Sequence, residues 1–252
     1  MVHHEEYGSV LVLRLDHGKV AALDLELLAD LDAALADAEH APARAFVLTG
    51  TGSSFSAGVD LYRVLDGGPE YVRRFLPLLD RVLRRLFLLP RPVVAAVNGH
   101  AIAGGCILAG ACDRRLVAAG RARLGVPELR VGVPFPVLAY EIVRFAVAPQ
   151  HLPEVVYGGA TWGPEEALQR GLADEVVAAP ELLERALATA ESYAAIPPVA
   201  FALAKRQMRA PALERVEKLE REMGQSVVDA WCDPAMPAIL RAYLDSTLGP
   251  RS

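Results

Sequence analysis

The chain has 252 residues, a formal net charge of −5 and a hydrophobic share of 53%. That size and apolar content support a large core and exclude wholesale disorder. The acidic balance leaves no electrostatic footprint for nucleic acid. Three cysteines, Cys106, Cys112 and Cys232, lack metal or disulfide spacing, which fits a reducing, cytoplasmic setting. The first residues, MVHHEEYGSV, do not read as a signal peptide, and His3 and His4 read as a frayed end. No apolar run reaches the length of a membrane span.

In chain order, residues 10–15 read as a strand, and 24–39 as a helix with an acidic first turn. Residues 45–49 read as a buried strand, followed by the loop GTGSSFSAG. A long amphipathic helix is expected over 70–89, ending at Pro90. It carries Arg81, Arg84 and Arg85, a face suited to solvent, to a neighbouring element or to a phosphorylated ligand. Residues 93–97 form a second apolar strand, which stops at Asn98-Gly99. Ala103-Gly104-Gly105 then opens a helix over 106–112. Short strands are expected at 116–118 and 123–125, helices at 136–147, 152–157 and 164–170, and a strand at 175–177. After Pro180 the strand signal ends, and helices are expected at 182–193, 199–209 and 213–231. Pro197-Pro198 separates the first two of these. Interleaved strands and helices make the class α/β. A boundary near Ile196 divides a core, 1–195, from a helical region, 196–252.

Three segments carry chemistry. AAVNGHAIAGGCILAGACD, 95–113, turns from strand to helix through glycines. Free N–H groups at such a helix start favour an anion, or an oxygen that becomes one; the plainer reading is a tight turn. FSAGVDL, 55–61, bends in the same way. Two N–H groups from two such loops would form an oxyanion hole, while Asp60 equally suits a helix cap. In LGVPELRVGVP, 124–134, Glu128 sits among mostly apolar residues. Desolvation there would raise its pKa and suit it to act as a base; the alternative is an exposed acid beside Arg130. Ser53, Ser54 and Ser56 lie outside any nucleophile-elbow pattern. His100 reads as a packing or turn residue.

In this order and spacing, the three segments resemble the crotonase family, also called the enoyl-CoA hydratase/isomerase superfamily. HGKVAALDLELLADL (17–31), TWGPEEALQRGLADEVV (161–177) and IPPVAFALAKRQMR (196–209) extend the similarity over nearly the whole chain. The resemblance implies a spiral of ββα units with a carboxy-terminal helical region that joins subunits into a homotrimer or hexamer. It implies acyl-CoA thioesters as ligands, with no metal and no cofactor beyond the coenzyme A of the substrate. It assigns the thioester oxygen to the backbone N–H groups of Val59 and Gly104. Coenzyme A is expected near Ser56, Ala57 and Asp60. Arg63 either replaces a familial lysine as phosphate partner or is solvated. Lys205 matches a position that reaches a neighbouring subunit's coenzyme A.

The family's hydratases use two glutamates. Glu128 matches one, and Ile107 occupies the position of the other. A single base suffices to move a double bond from the 3- to the 2-position, the pattern of mitochondrial 3,2-enoyl-CoA isomerases. The alternatives are hydration or thioester hydrolysis using Asp66 or Glu70, and a non-catalytic acyl-CoA-binding subunit. Phe135 and Pro136 suit either an acyl tunnel or the core. Trp231-Cys232-Asp233-Pro234 and the ending DSTLGPRS, 245–252, depart from the family's usual last helix.

Overall fold

The computed structural model describes residues 1–248. The chain opens with an antiparallel pair, β1 (Val2–Tyr7) and β2 (Val10–Leu15), followed by helix α1 (Leu25–Ala38). Three ββα turns come next. They are β3 (Ala45–Gly50), β4 (Ser54–Ser56) and α2 (Leu61–Leu88); β5 (Val93–Val97), β6 (His100–Ile102) and α3 (Gly104–Ala111); and β7 (Arg114–Ala118), β8 (Leu124–Gly125) and α4 (Glu128–Val131). Helices α5 (Val137–Ala146), α6 (Leu152–Gly158) and α7 (Pro164–Arg170) lead to β9 (Glu175–Val177). The chain closes with α8 (Leu182–Ala194), α9 (Pro198–Trp231) and α10 (Met236–Leu248).

In each turn the first strand enters a six-stranded sheet, ordered β1-β2-β3-β5-β7-β9, and the second enters a three-stranded sheet, β4-β6-β8. All pairings after β1–β2 are parallel. This is the α/β spiral of ββα units that the resemblance implies. Its strands β3 and β5 are buried at every residue, because helices and the second sheet cover both faces of parallel strands. The spiral matters for function because every passage from the small sheet to a helix occurs at the same end of the molecule.

Several elements differ from the sequence expectation. His3 and His4 lie in β1 rather than in a frayed end, because its backbone pairs with β2 from Val2↔Leu15 to Tyr7↔Val10. Its side chains are mostly exposed, so an edge strand of this kind leaves little apolar signal. Helix α2 begins at Leu61 rather than near residue 70. Asp60 caps it by accepting the Tyr62 and Arg63 N–H groups at 3.0 and 3.1 Å. A break at Gly68, with φ of 56°, precedes Pro69, and that pair disguised the first turns as a loop. The helices expected at 199–209 and 213–231 are one, α9, which continues through Pro211. Within the carboxy-terminal DSTLGPRS, residues 245–248 belong to α10, whereas 249–252 lie outside the described residues.

Helix α9 folds back onto its own core. Lys205 Nζ donates to Asp113 Oδ2 at 2.8 Å and to the Arg91 carbonyl at 3.1 Å. Arg209 donates to Asp113 Oδ1 at 2.8 Å, with its guanidinium 4.1 Å from the Phe87 ring centroid. Lys205 is therefore buried and hydrogen-bonded within its own chain. Burial draws its pKa down to about 8 despite the Asp113 charge. The basic face of α2 is a seam between helices: Arg81 and Arg85 pair with Asp32 of α1, and Arg84 pairs with Glu220 of α9. Among the described residues, no single helix is long and apolar enough to cross a membrane.

Candidate active site

The loops after β4 and β6 pack against each other so closely that glycine is required at the seam. Gly58 has φ of +82°, and a β-carbon there would lie 2.6 Å from the Ile102 carbonyl oxygen and 3.0 Å from the Gly104 nitrogen. One on Gly105 would lie 2.1 Å from the Ser56 carbonyl oxygen. Between these contacts Ala103 takes a φ of 51°, a strained conformation for a residue with a side chain.

That packing positions two N–H groups. Leu23 forms a parallel bridge with Val59, in which Leu23 N–H donates to Gly58 O at 2.7 Å and Asp60 N–H to Leu23 O at 2.9 Å. The flanking residues make the bridge, so the alternating backbone turns Val59's own N–H to the opposite side. Gly104 is the first residue of α3, where an N–H has no intrahelical acceptor. The preceding Ala103 N–H is used by Gly125 O at 2.8 Å. Val59 and Gly104 both line a cavity of about 410 Å³.

Glu128 enters the same cavity from the first residue of α4. It is 6% exposed, and its Oε2 has no hydrogen-bond partner among the described residues. Burial lifts its pKa from 4.5 to about 8, against a smaller lowering influence from a backbone hydrogen bond. Ala57, Asp60, Ile107 and Pro136 line the cavity as well. Asp60 is the other carboxylate in that lining, and its Oδ1 is taken by the cap of α2. The site thus brings together Val59, Gly104 at the first turn of α3, one desolvated acid and an aliphatic side chain, Ile107. Such a set can hold a developing oxyanion and carry a proton.

Ser56 and Arg63 fall outside this lining. Ser56 is fully buried; its hydroxyl donates to Ala21 O at 2.7 Å and accepts the Gly58 N–H at 3.2 Å, which pins the loop. Arg63 is exposed and pairs with Glu26 at 3.4 Å. Asp66 and Glu70 are exposed on α2, away from the cavity. Phe135 packs edge-on against Tyr140 as part of the core. His100 pairs in β6, donating its N–H to Ser53 O at 3.0 Å.

Sequence reasoning missed the apolar walls. Leu79 and Leu83 of α2 line the cavity, as do Trp231 of α9 and Tyr243, Leu244 and Thr247 of α10. The two leucines sit at helical spacing within a stripe indistinguishable from core. The residues of α9 and α10 reach the site only because the tail folds back.

Comparison with known proteins decides the family. Residues 5–233 match the family model described as enoyl-CoA hydratase/isomerase. The chain belongs to that family. As an enoyl-CoA hydratase/isomerase family enzyme, it is 33% identical to the short-chain-enoyl-CoA hydratase of Clostridium acetobutylicum over 80% of this chain and 78% of that protein. It is 31% identical to the carnitinyl-CoA dehydratase of Escherichia coli over 99% of this chain and 93% of the relative. The crystal structure of human mitochondrial delta3-delta2-enoyl-CoA isomerase superposes with a TM-score of 0.93, at 27% identity, over 100% of this chain and 99% of the other.

Proposed function

We propose that this family enzyme moves the double bond of a 3-enoyl-CoA to the 2-position, with Glu128 as the sole proton carrier. The observation that carries the reading is the buried Glu128, whose Oε2 has no partner among the described residues, in a cavity also lined by Val59 and Gly104. Glu128, as carboxylate, takes a proton from C2 of the 3-enoyl thioester. The electron pair of that C–H bond moves into the conjugated system and places negative charge on the thioester oxygen. The two N–H groups stabilise this oxygen as its charge grows. The protonated Glu128 then gives its proton to C4, the charge returns to the carbonyl, and a 2-enoyl thioester results. No water, metal or added cofactor enters the balance.

Ile107 supports isomerisation over hydration. Hydration needs a second group to handle water, and an aliphatic wall keeps the acid dry and basic. Asp66 and Glu70 are exposed outside this cavity, and Asp60, the other carboxylate in its described lining, gives its Oδ1 to the cap of α2. In the proposed complex, coenzyme A runs from Ala57 and Asp60 towards solvent, with Arg63 near its phosphates. A cytoplasmic homotrimer or hexamer is part of the same proposal; Val199 and Leu203, one turn apart on α9, are exposed apolar side chains on one face that support association.

The test is incubation with 3-enoyl-CoA of several chain lengths while following conjugated-thioester absorbance. Conjugation is expected. A sample that binds acyl-CoA yet conjugates none of them is a binding protein, and the reading is overturned. Ile107→Glu is expected to gain measurable water addition to 2-enoyl-CoA, scored by loss of the same absorbance.

A further inference from the structure

A second cavity, of about 300 Å³, lies behind the first and is walled by apolar side chains, among them Leu65, Val72, Met236 and Leu240. Among the described residues the linings of the two cavities share Trp231 alone. Its indole is 4% exposed, and its Nε1–H donates to the Pro134 carbonyl at 2.9 Å. The ring is thus buried and anchored at its polar edge, which places it as a partition between the two spaces. The next residue, Cys232, lines the second cavity and is partly exposed.

We propose that Trp231 is the end wall of the acyl cavity and sets the longest acyl chain the enzyme accommodates. The inference rests on the reading of the first cavity as an acyl-CoA site. The physical basis is simple: each methylene that finds apolar space strengthens binding by about fourfold, and each that meets a wall adds nothing or is rejected. A smaller residue at 231 would join the two spaces and extend the apolar run into the second.

The experiment measures binding of saturated acyl-CoAs, from butyryl to palmitoyl, by calorimetry, together with alkylation of Cys232. Burial pushes the thiols of Cys106 and Cys112 up to about 12, so alkylation reports on Cys232. For the wild type, affinity is expected to climb with chain length and then level off, with no member of the series shielding Cys232. In Trp231→Leu the plateau moves to longer chains, and those chains slow Cys232 alkylation. Trp231→Phe keeps the wild-type plateau, since a ring without the hydrogen bond still fills the gap. Leu65→Phe, added to Trp231→Leu, narrows the second cavity and returns the plateau towards shorter chains. An unchanged plateau in Trp231→Leu overturns the proposal. So does shielding of Cys232 by long chains in the wild type, a result that needs no variant. A protein that binds the series but conjugates no 3-enoyl-CoA overturns the proposed reaction and leaves the wall standing; one that binds no member overturns both.

Discussion

Glu128 and Asp113 are both acids set deep in apolar surroundings, and they have opposite environments. Asp113, 12% exposed, accepts from the Val93 N–H, from Lys205 and from Arg209, each at 2.8 Å. Glu128 faces a cavity with one oxygen unpartnered. At Asp113 the buried charge is neutralised, and the acid fastens the tail helix to the core. At Glu128 no cation offsets desolvation among the described residues, only a backbone hydrogen bond of smaller effect, and its pKa rises to about 8, a value suited to the proposed base. Burial alone therefore does not mark a functional acid; burial without a cation does.

The largest expected effect is on turnover. Glu128→Gln should lower kcat for 3-enoyl-CoA by about 10²- to 10⁴-fold, the usual contribution of a general base. Steady-state kinetics beside an unchanged circular dichroism spectrum would show it, and activity within a few-fold of wild type would erase the contrast.

The same substitution should raise stability at alkaline pH. Glu128 ionises near 4.5 when unfolded but near 8 when folded. Between those values the folded state holds the extra proton, so its stability falls as pH rises. The loss is about 1.4 kcal/mol per pH unit, or about 5 kcal/mol in full. Denaturation at pH 5 and pH 9 should therefore show Glu128→Gln and wild type close together at the lower pH and separated at the higher. A constant gap would place the raised pKa elsewhere.

Asp113→Ala should behave in the opposite sense. It leaves Lys205 and Arg209 buried without their acid and should cost about 3–5 kcal/mol at neutral pH. The denaturant midpoint would drop, while the folded fraction keeps its turnover. A specific loss of kcat with normal stability would give Asp113 a part in the chemistry.

The mildest effect is the pH dependence of the wild type. If the carboxylate form of Glu128 is the base, kcat/KM rises about tenfold per pH unit and levels near 8, because this parameter follows the free enzyme. A profile flat from pH 6 to 9 would point to another proton carrier.

Much of the spiral was legible because its strands are apolar runs bounded by glycine, proline or asparagine. Residues 10–15, 93–97 and 175–177 coincide with β2, β5 and β9. Strands β4 and β6, each three residues long, fall below what periodicity can detect. The first turns of α2 were hidden by Gly67-Gly68-Pro69, and α9 was divided at Pro211, a residue that a mostly solvated helix tolerates. At the candidate site, Val59, Gly104, Glu128 and Ile107, singled out from their motifs, all line one cavity. Ser56 lies outside the lining with its hydroxyl pinning the loop, a role the sequence does not distinguish from meeting a ligand. Trp231 and Tyr243 carried no motif at all.

The sequence by itself determined the α/β class, the two glycine turns and the presence of one acid where a pair would serve hydration. These are local properties: backbone freedom at glycine and the chemistry of a side chain do not depend on distant residues. The tertiary structure alone decided that Val59 and Gly104 line one cavity, that Glu128 meets no cation among the described residues, and that residues of α9 and α10 complete its wall. Each of these depends on what packs against a residue from far along the chain. Solvent exclusion and steric closure are products of that packing, and no local pattern of residues encodes them.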